Sequence, residues 1–293
     1  MAPPDDPHAH PVLAAFSPAV RTWFSTTFPE PTPAQVQGWP RIMAGEHTLI
    51  CAPTGSGKTL TAFLGAIDRL VTTPAPDGRA RTRVLYISPL RALAFDVEKN
   101  LRAPLQGIKL AAERLGVGFV EPSVGLRTGD TSAKDRQKMV RSAPDLLITT
   151  PESLYLMLTS SARETLANVE WVIIDEIHAL SPTKRGAHLS LSLERLEAIT
   201  ARPPQRIGLS ATQRPLEETA AFLGGFSAPG SRRPVAIVDA GVRKPLEVQV
   251  VVPVEDMGDL GKEVVELRSG PATSALSTTR TSDRKSTRLN SSH

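Results

Sequence analysis

The chain has 293 residues, enough for one large domain or two modest ones, and 40% of them are hydrophobic, enough for a packed core. No apolar stretch reaches the length of a membrane span, and no secretory leader pattern opens the chain. With one cysteine, Cys51, an internal disulfide is excluded, and the composition suits a cytoplasmic protein.

The formal net charge of +4 is unevenly spread. In residues 269–293, Arg280, Arg284, Lys285 and Arg288 face only Asp283, a net of +3, which leaves +1 for the other residues. Any contact with a polyanion must therefore come from a local patch rather than a global field.

Residues 1–11 are Pro-, Asp- and His-rich and read as disordered. Val12–Phe28 has helical apolar spacing, with Ser17-Pro18 as a helix start. A proline-fixed entry, residues 29–33, leads to a short helix over Ala34–Ile42. Gln35 has two readings: a surface helix glutamine, or an amide that reads the edge of adenine.

Thr48-Leu49-Ile50-Cys51 is a buried-strand run, followed by Ala52-Pro53-Thr54-Gly55-Ser56-Gly57-Lys58-Thr59 and a helical pattern. Strand, glycine loop and helix form a phosphate cradle: the glycines turn the backbone and the helix start favours an anion. Lys58 would reach the terminal phosphates and the Thr59 hydroxyl would bind Mg2+. Ala52 stands where the general loop motif has its first glycine. A plain strand-to-helix turn is the competing reading. Cys51, on the strand, reads as a buried, inert thiol.

Arg83–Ser88 is the next strand, and Pro89-Leu90-Arg91-Ala92-Leu93 opens a helix where backbone amides and Arg91 could grip a phosphate; Arg91 alone also reads as a solvated arginine. After a further helix and strand comes the turn Arg127-Thr128-Gly129-Asp130-Thr131-Ser132, then a basic helix, Ala133–Arg141, that reads as a solvated face. Asp145–Thr150 is a buried strand running into the helix start Pro151-Glu152-Ser153-Leu154. Trp171–Ile174 is another, ending in Asp175 and Glu176. Beside a phosphate loop, Asp175 would hold Mg2+ and Glu176 would polarise the attacking water. An amphipathic helix spans Leu189–Ile199; Gln205–Thr212 is a strand ending in hydroxyls; Pro215–Leu223 is a helix closed by Gly224-Gly225. Strands Pro234–Asp239 and Leu246–Val252 follow. About seven strands alternate with helices, which gives an α/β fold: a mostly parallel sheet, helices on both faces, ligands at the strands' carboxyl ends.

In order and content, Ala52–Thr59, Ser88–Leu93, Thr149–Leu154, Asp175–His178 and Ser210–Thr212 resemble the motifs of superfamily 2 helicases. Arg127–Thr131, Thr150–Leu154, Asp175-Glu176-Ile177-His178 and Lys184–Leu189 narrow the likeness to the large helicase-related (Lhr) family. His178 separates the chain from helicases whose fourth motif residue is Asp. The resemblance implies a single RecA-like P-loop domain over residues 12–240, the first of two such domains, with an interdomain linker starting in 241–268. It implies ATP and Mg2+ as cofactors. Gln35, Thr54, Gly55, Ser56, Gly57, Lys58 and Thr59 would bind the nucleotide, with Thr59 and Asp175 on the metal. Lys58, Asp175 and Glu176 would be catalytic, and His178, Ser210 and Thr212 would couple nucleotide state to strand movement. Pro89, Arg91, Thr128, Gly129, Thr150 and Pro151 would line the nucleic-acid track. Relatives move 3′ to 5′ on single-stranded DNA. An RNA-remodelling ATPase, or a nucleotide-binding module without motor activity, are the alternatives.

Nothing after Thr212 resembles the second domain that supplies arginine fingers, worth about 10³–10⁵ in turnover. Residues 283–293 resemble translated sequencing-adapter sequence, so 269–293 read as a disordered, non-native tail; a native basic tail that binds nucleic acid is the alternative. On this reading the fragment alone binds ATP weakly and hydrolyses it near background.

Overall fold

A computed structural model describes residues 10–211 and 214–241. The expectations for residues 1–9, for Thr212, for a strand at Leu246–Val252, and for the linker and tail lie outside these residues.

In chain order the elements are a short 3-10 helix (Pro11–Ala15), α1 (Pro18–Thr27), α2 (Pro33–Met43), β1 (Thr48–Cys51), α3 (Lys58–Thr72), β2 (Val84–Ile87) and α4 (Arg91–Leu115). Then come β3 (Val124–Arg127), α5 (Ala133–Arg141), β4 (Leu146–Thr149), α6 (Pro151–Leu158), a second 3-10 helix (Ser161–Leu166), β5 (Trp171–Ile174) and α7 (Ile177–Leu180). The last are α8 (Lys184–Glu197), β6 (Gln205–Ser210), α9 (Leu216–Gly224), β7 (Phe226–Ala228), β8 (Ser231–Arg232) and β9 (Ala236–Asp239).

Seven strands form one sheet in the order β3-β4-β2-β5-β6-β1-β9, every pairing parallel. The strands are short apolar runs because both faces are covered, so alternate residues go to opposite cores. Ile50, Tyr86, Ile148, Ile173 and Ile207 enter a core shared with α1 to α4. Leu49, Cys51, Leu85, Ile87, Leu147, Val172 and Ile174 enter another with α6 to α9. This is the α/β architecture that the alternation implied.

Local structure departs from expectation in four places. The amphipathic helix expected over Leu189–Ile199 is α8, which begins earlier, at Lys184 behind the Thr183 cap, and ends at Glu197. The pattern over Val12–Phe28 is not one helix: the chain breaks at Phe16-Ser17, where the Ser17 N–H donates to the Asp68 carboxylate at 3.1 and 3.3 Å. The helix beginning after Pro89 is not followed by a second one. It continues as α4 for 25 residues through Pro104 and ends at Gly116, whose φ is 64°. The antiparallel pair β7-β8 was not foreseen; its residues are all exposed, so it leaves no apolar pattern.

Candidate functional site

The strand order gathers the quoted stretches into two groups along one carboxyl edge. Strands β5, β6 and β1 are neighbours, so Asp175–His178, Ser210 and Ala52–Thr59 meet. Strands β3, β4 and β2 are the other neighbours, and bring Arg127–Thr131, Thr150–Glu152 and Ser88–Arg91 together.

In the first group, Gly55 and Gly57 turn the loop with φ of 80° and 79°, where a side chain is strained. Gly57 also lacks room: an added Cβ would lie 2.8 Å from Gln35 Nε2 and 3.3 Å from Thr32 Oγ1. Gln35 is buried, not a surface glutamine; its Oε1 accepts the Thr32 N–H at 2.9 Å and its amide nitrogen lies against the loop. The hydroxyls of Ser56 and Thr32 are buried without partners beside these glycines. Thr54 and Gly55 are exposed and Thr59 is half-buried at the start of α3, whose first N–H groups have no helical acceptor.

Buried Lys58 reaches from the loop towards the acids. Its Nζ donates to the Ala52 carbonyl at 3.3 Å and stands 3.8 Å from Glu176 Oε1. Burial pushes the Asp175 carboxyl above the usual carboxylate range, against the pull of the Tyr86 hydroxyl nearby. Glu176 has φ 43°, the only positive φ outside glycine among the described residues, a conformation that costs about 1–3 kcal/mol. It also starts α7, which turns the chain so that His178 faces β6. His178 Nδ1 accepts the Ala211 N–H at 3.2 Å, which puts the ring proton on Nε2, and lies 3.4 Å from Glu176 Oε2. The Ser210 hydroxyl donates to the Ala211 carbonyl at 2.8 Å. Cys51 is fully buried beneath, its thiol pushed up to about 11 by burial, as an inert thiol should be.

The second group is cross-tied. Arg91 pairs with Asp130 at 2.6 Å, joining the loop after β2 to that after β3. Thr149 Oγ1 donates to the Arg127 carbonyl at 2.8 Å, joining β4 to β3. Thr128 is buried; its N–H donates to Thr131 Oγ1 at 2.9 Å, and its hydroxyl accepts the Asp130 N–H at 3.3 Å. Thr150 Oγ1 accepts the Ser153 N–H at 3.4 Å and so caps α6, with Pro151 in the first turn.

Two residues here were not singled out from sequence. Arg185, at the start of α8, donates from Nε to Glu152 at 2.7 Å and from Nη2 to the Pro89 carbonyl at 3.0 Å, locking two loops of the second group to the helix that follows the acids. Arg185 lies in the quoted run Lys184–Leu189, but only the fold shows what it reaches. Tyr86 reads as an ordinary strand aromatic. Its ring stacks on Phe63 at 4.9 Å while the hydroxyl faces Asp175. A hollow of about 660 Å³ lined by His47, Arg69, Glu170 and Gln205 opens at the opposite edge of the sheet and holds none of the quoted motif residues.

A sequence-family model described as DEAD/DEAH box helicase matches residues 32–219. The chain is 55% identical over 248 residues to "Lhr helicase/ probable uracil glycosylase" of Mycolicibacterium smegmatis, covering 85% of this chain and 16% of that protein. It is 46% identical over 243 residues to "ATP-dependent helicase Lhr-Core" of Methanothermobacter thermautotrophicus, covering 82% of this chain and 28% of the relative. Among solved structures, Mycobacterium smegmatis helicase Lhr bound to ssDNA and AMP-PNP superposes with a TM-score of 0.74 at 54% identity, over 85% of this chain and 31% of that one. The DEAD-box helicase Mss116, bound to ssRNA, shares the fold alone, with a TM-score of 0.63 at 17% identity. The chain thus spans 16% to 28% of the length of these two relatives. The likeness to Lhr proteins drawn from the motifs is found across most of the chain, and the chain belongs to the DEAD/DEAH box helicase family.

Proposed function

We propose that residues 12–240 form the first RecA-like, ATP-binding domain of an ATP-dependent helicase that tracks 3′ to 5′ on single-stranded DNA in the cytoplasm. The observation that carries this is the convergence of Lys58, Asp175, Glu176 and His178 at the adjacent carboxyl ends of β1, β5 and β6. The DNA and AMP-PNP on the similar Lhr structure agree with it. Among the described residues no helix is long and apolar enough to cross a membrane.

The cradle suits a nucleotide triphosphate. Gly55 and Gly57 keep the backbone open, the Ser56 hydroxyl is buried without a partner, and the first N–H groups of α3 have no helical acceptor. Gln35, its oxygen held by Thr32, presents its amide nitrogen to an adenine edge. Lys58 exchanges the Ala52 carbonyl for the terminal phosphates. The Thr59 hydroxyl and Asp175 carboxylate would hold Mg2+, which neutralises charge on the phosphate oxygens. Glu176 takes the proton of the attacking water. His178, bonded to the Ala211 N–H, carries any shift of the acids to the end of β6; with Ser210 and Thr212 it would report the nucleotide state. Pro89, Arg91, Thr128, Gly129, Thr150 and Pro151 would hold strand phosphates, a grip without sequence readout.

The test is equilibrium binding of a fluorescent ATP analogue, with Mg2+, and of labelled oligo(dT) to the 293-residue chain. Lys58→Ala is expected to weaken nucleotide binding at least about tenfold, the loss of one charge-assisted contact of about 1.5–3 kcal/mol. Oligo(dT) binding should be unchanged. Equal nucleotide affinity in both proteins would overturn the assignment of the cradle.

A further inference from the structure

Tyr86, on β2, carries a hydroxyl where a covered strand ordinarily carries hydrocarbon. The side chain is fully buried, and among the described residues its oxygen has no hydrogen-bond partner. A buried donor without an acceptor costs stability, and a phenylalanine would fill the same space without that cost. Packing alone therefore does not account for a tyrosine here.

The register shows what the hydroxyl faces. Tyr86 lies opposite Ile173 of β5, and both enter the same core. Alternate residues of a strand share a face, so Asp175, two beyond Ile173, falls on that side. The Asp175 N–H donates to the Ile87 carbonyl at 2.9 Å, which carries the pairing of the two strands through to the acid. Asp175, and after it Glu176, are the charged groups that act on the Tyr86 hydroxyl. Asp175 Oδ1 accepts the Glu176 N–H at 3.0 Å. A carboxylate offers about four lone-pair sites, so those left can take both a cation and a phenol. Burial, and then Asp175, raise the hydroxyl well above the ordinary phenol range, so towards the carboxylate it can only donate.

The ring makes a second link. It stacks on Phe63 of α3, with centroids 4.9 Å apart and planes at 22°. Phe63 follows Thr59 by four residues, so the two share a face of that helix. One side chain thus packs on the helix that carries Thr59 and faces the acid at the end of β5.

We propose that Tyr86 is a positioning residue for the divalent cation that accompanies ATP: its hydroxyl donates to the Asp175 carboxylate and holds it turned towards Thr59. Carboxylates that bind metals are themselves held by hydrogen bonds, and these outer partners set their orientation. A donor already packed in place spares the site part of the ordering that binding requires. The proposal rests on the assignment of Mg2+ to Thr59 and Asp175.

The experiment is a Mg2+ titration of binding of the fluorescent ATP analogue. Tyr86→Phe keeps the ring and its stacking and removes only the hydroxyl. The Mg2+ concentration at half-maximal binding is expected to rise about tenfold, as for loss of a hydrogen-bond partner of a metal ligand. Binding in EDTA should be unchanged, and the variant should melt no lower than the unaltered chain, since the hydroxyl it loses has no partner. A packing role would leave the Mg2+ midpoint where it was. An unchanged midpoint overturns the role of Tyr86 alone. Lost binding in EDTA overturns it too, because the hydroxyl would then support the cradle rather than the cation. If the unaltered chain binds the analogue equally with Mg2+ and with EDTA, the metal assignment fails and the role of Tyr86 with it.

Discussion

Asp175 shows how the site's chemistry sets itself against stability. Its carboxyl is raised by burial, so the folded chain holds that proton more tightly than the unfolded chain does. The sign follows: stability is lost as pH climbs from the ordinary carboxylate value through the raised one. A cation at the carboxylate would offset this. Asp175→Asn is therefore expected to raise the melting temperature of the nucleotide-free chain at neutral pH and to remove the Mg2+ dependence of nucleotide binding. Thermal melts between pH 4 and 8 check this; a lower melting temperature in the variant would contradict it. Glu176 belongs to the same pattern, because a left-handed backbone at a carboxylate residue is held only by what surrounds it. Neither property could be read in the sequence. Asp175-Glu176 after an apolar run announces two acids at a strand end, but burial and φ depend on α7 and on Tyr86 from another strand.

At the scale of elements, the central strands were legible because they are continuous apolar runs covered on both faces, and several helix starts because Ser17, Ser132 and Thr150 cap them. The start of α8 was not: Thr183 caps it, but the polar first turns Lys184–His188 carry no apolar stripe. The break at Ser17 was half-legible: Ser17-Pro18 marks a start, but Asp68, which holds the Ser17 N–H, is 51 residues away. The length of α4 was hidden by Pro104, which by itself argues for a helix boundary. α8 carries a constraint of another kind. Gly186 sits in its first turn, and a Cβ there would lie 2.1 Å from the Leu180 carbonyl oxygen of α7. A glycine-to-alanine change in a helix ordinarily gains up to about 1 kcal/mol. Here the contact is backbone, so Gly186→Ala is expected to destabilise by about 1–3 kcal/mol, as overpacking does. The loss is read from urea melts, and a stabilised variant would show that α7 and α8 do not meet as described. The junction matters because α8 also positions Arg185.

For the molecule as a whole, sequence order gives the motifs and the sheet gives their grouping. The order β3-β4-β2-β5-β6-β1-β9 sorts sites scattered from residue 52 to residue 211 into a nucleotide group and a strand-binding group on one edge. No local pattern encodes that sorting, since it depends on which strands become neighbours. The two groups meet where β2 pairs with β5. Within the first, the His178–Ala211 bond ties the acids to β6; Arg185, on the helix beyond those acids, ties Pro89 to Glu152 in the second. Arg185 is exposed in part and its ion pair alone would count for little. Its value lies in joining three segments at once.

The central claim is that one edge of the sheet carries two separate binding groups. Amide hydrogen exchange of the 293-residue chain tests it most directly, with Mg2+ and AMP-PNP in one sample and oligo(dT) in another. The account predicts that the nucleotide slows exchange in peptides covering 53–60 and 175–178, and that oligo(dT) slows it in peptides covering 127–131 and 150–153. Protection by the nucleotide of 45–47, 167–171 and 201–205, around the hollow at the opposite edge, would contradict it.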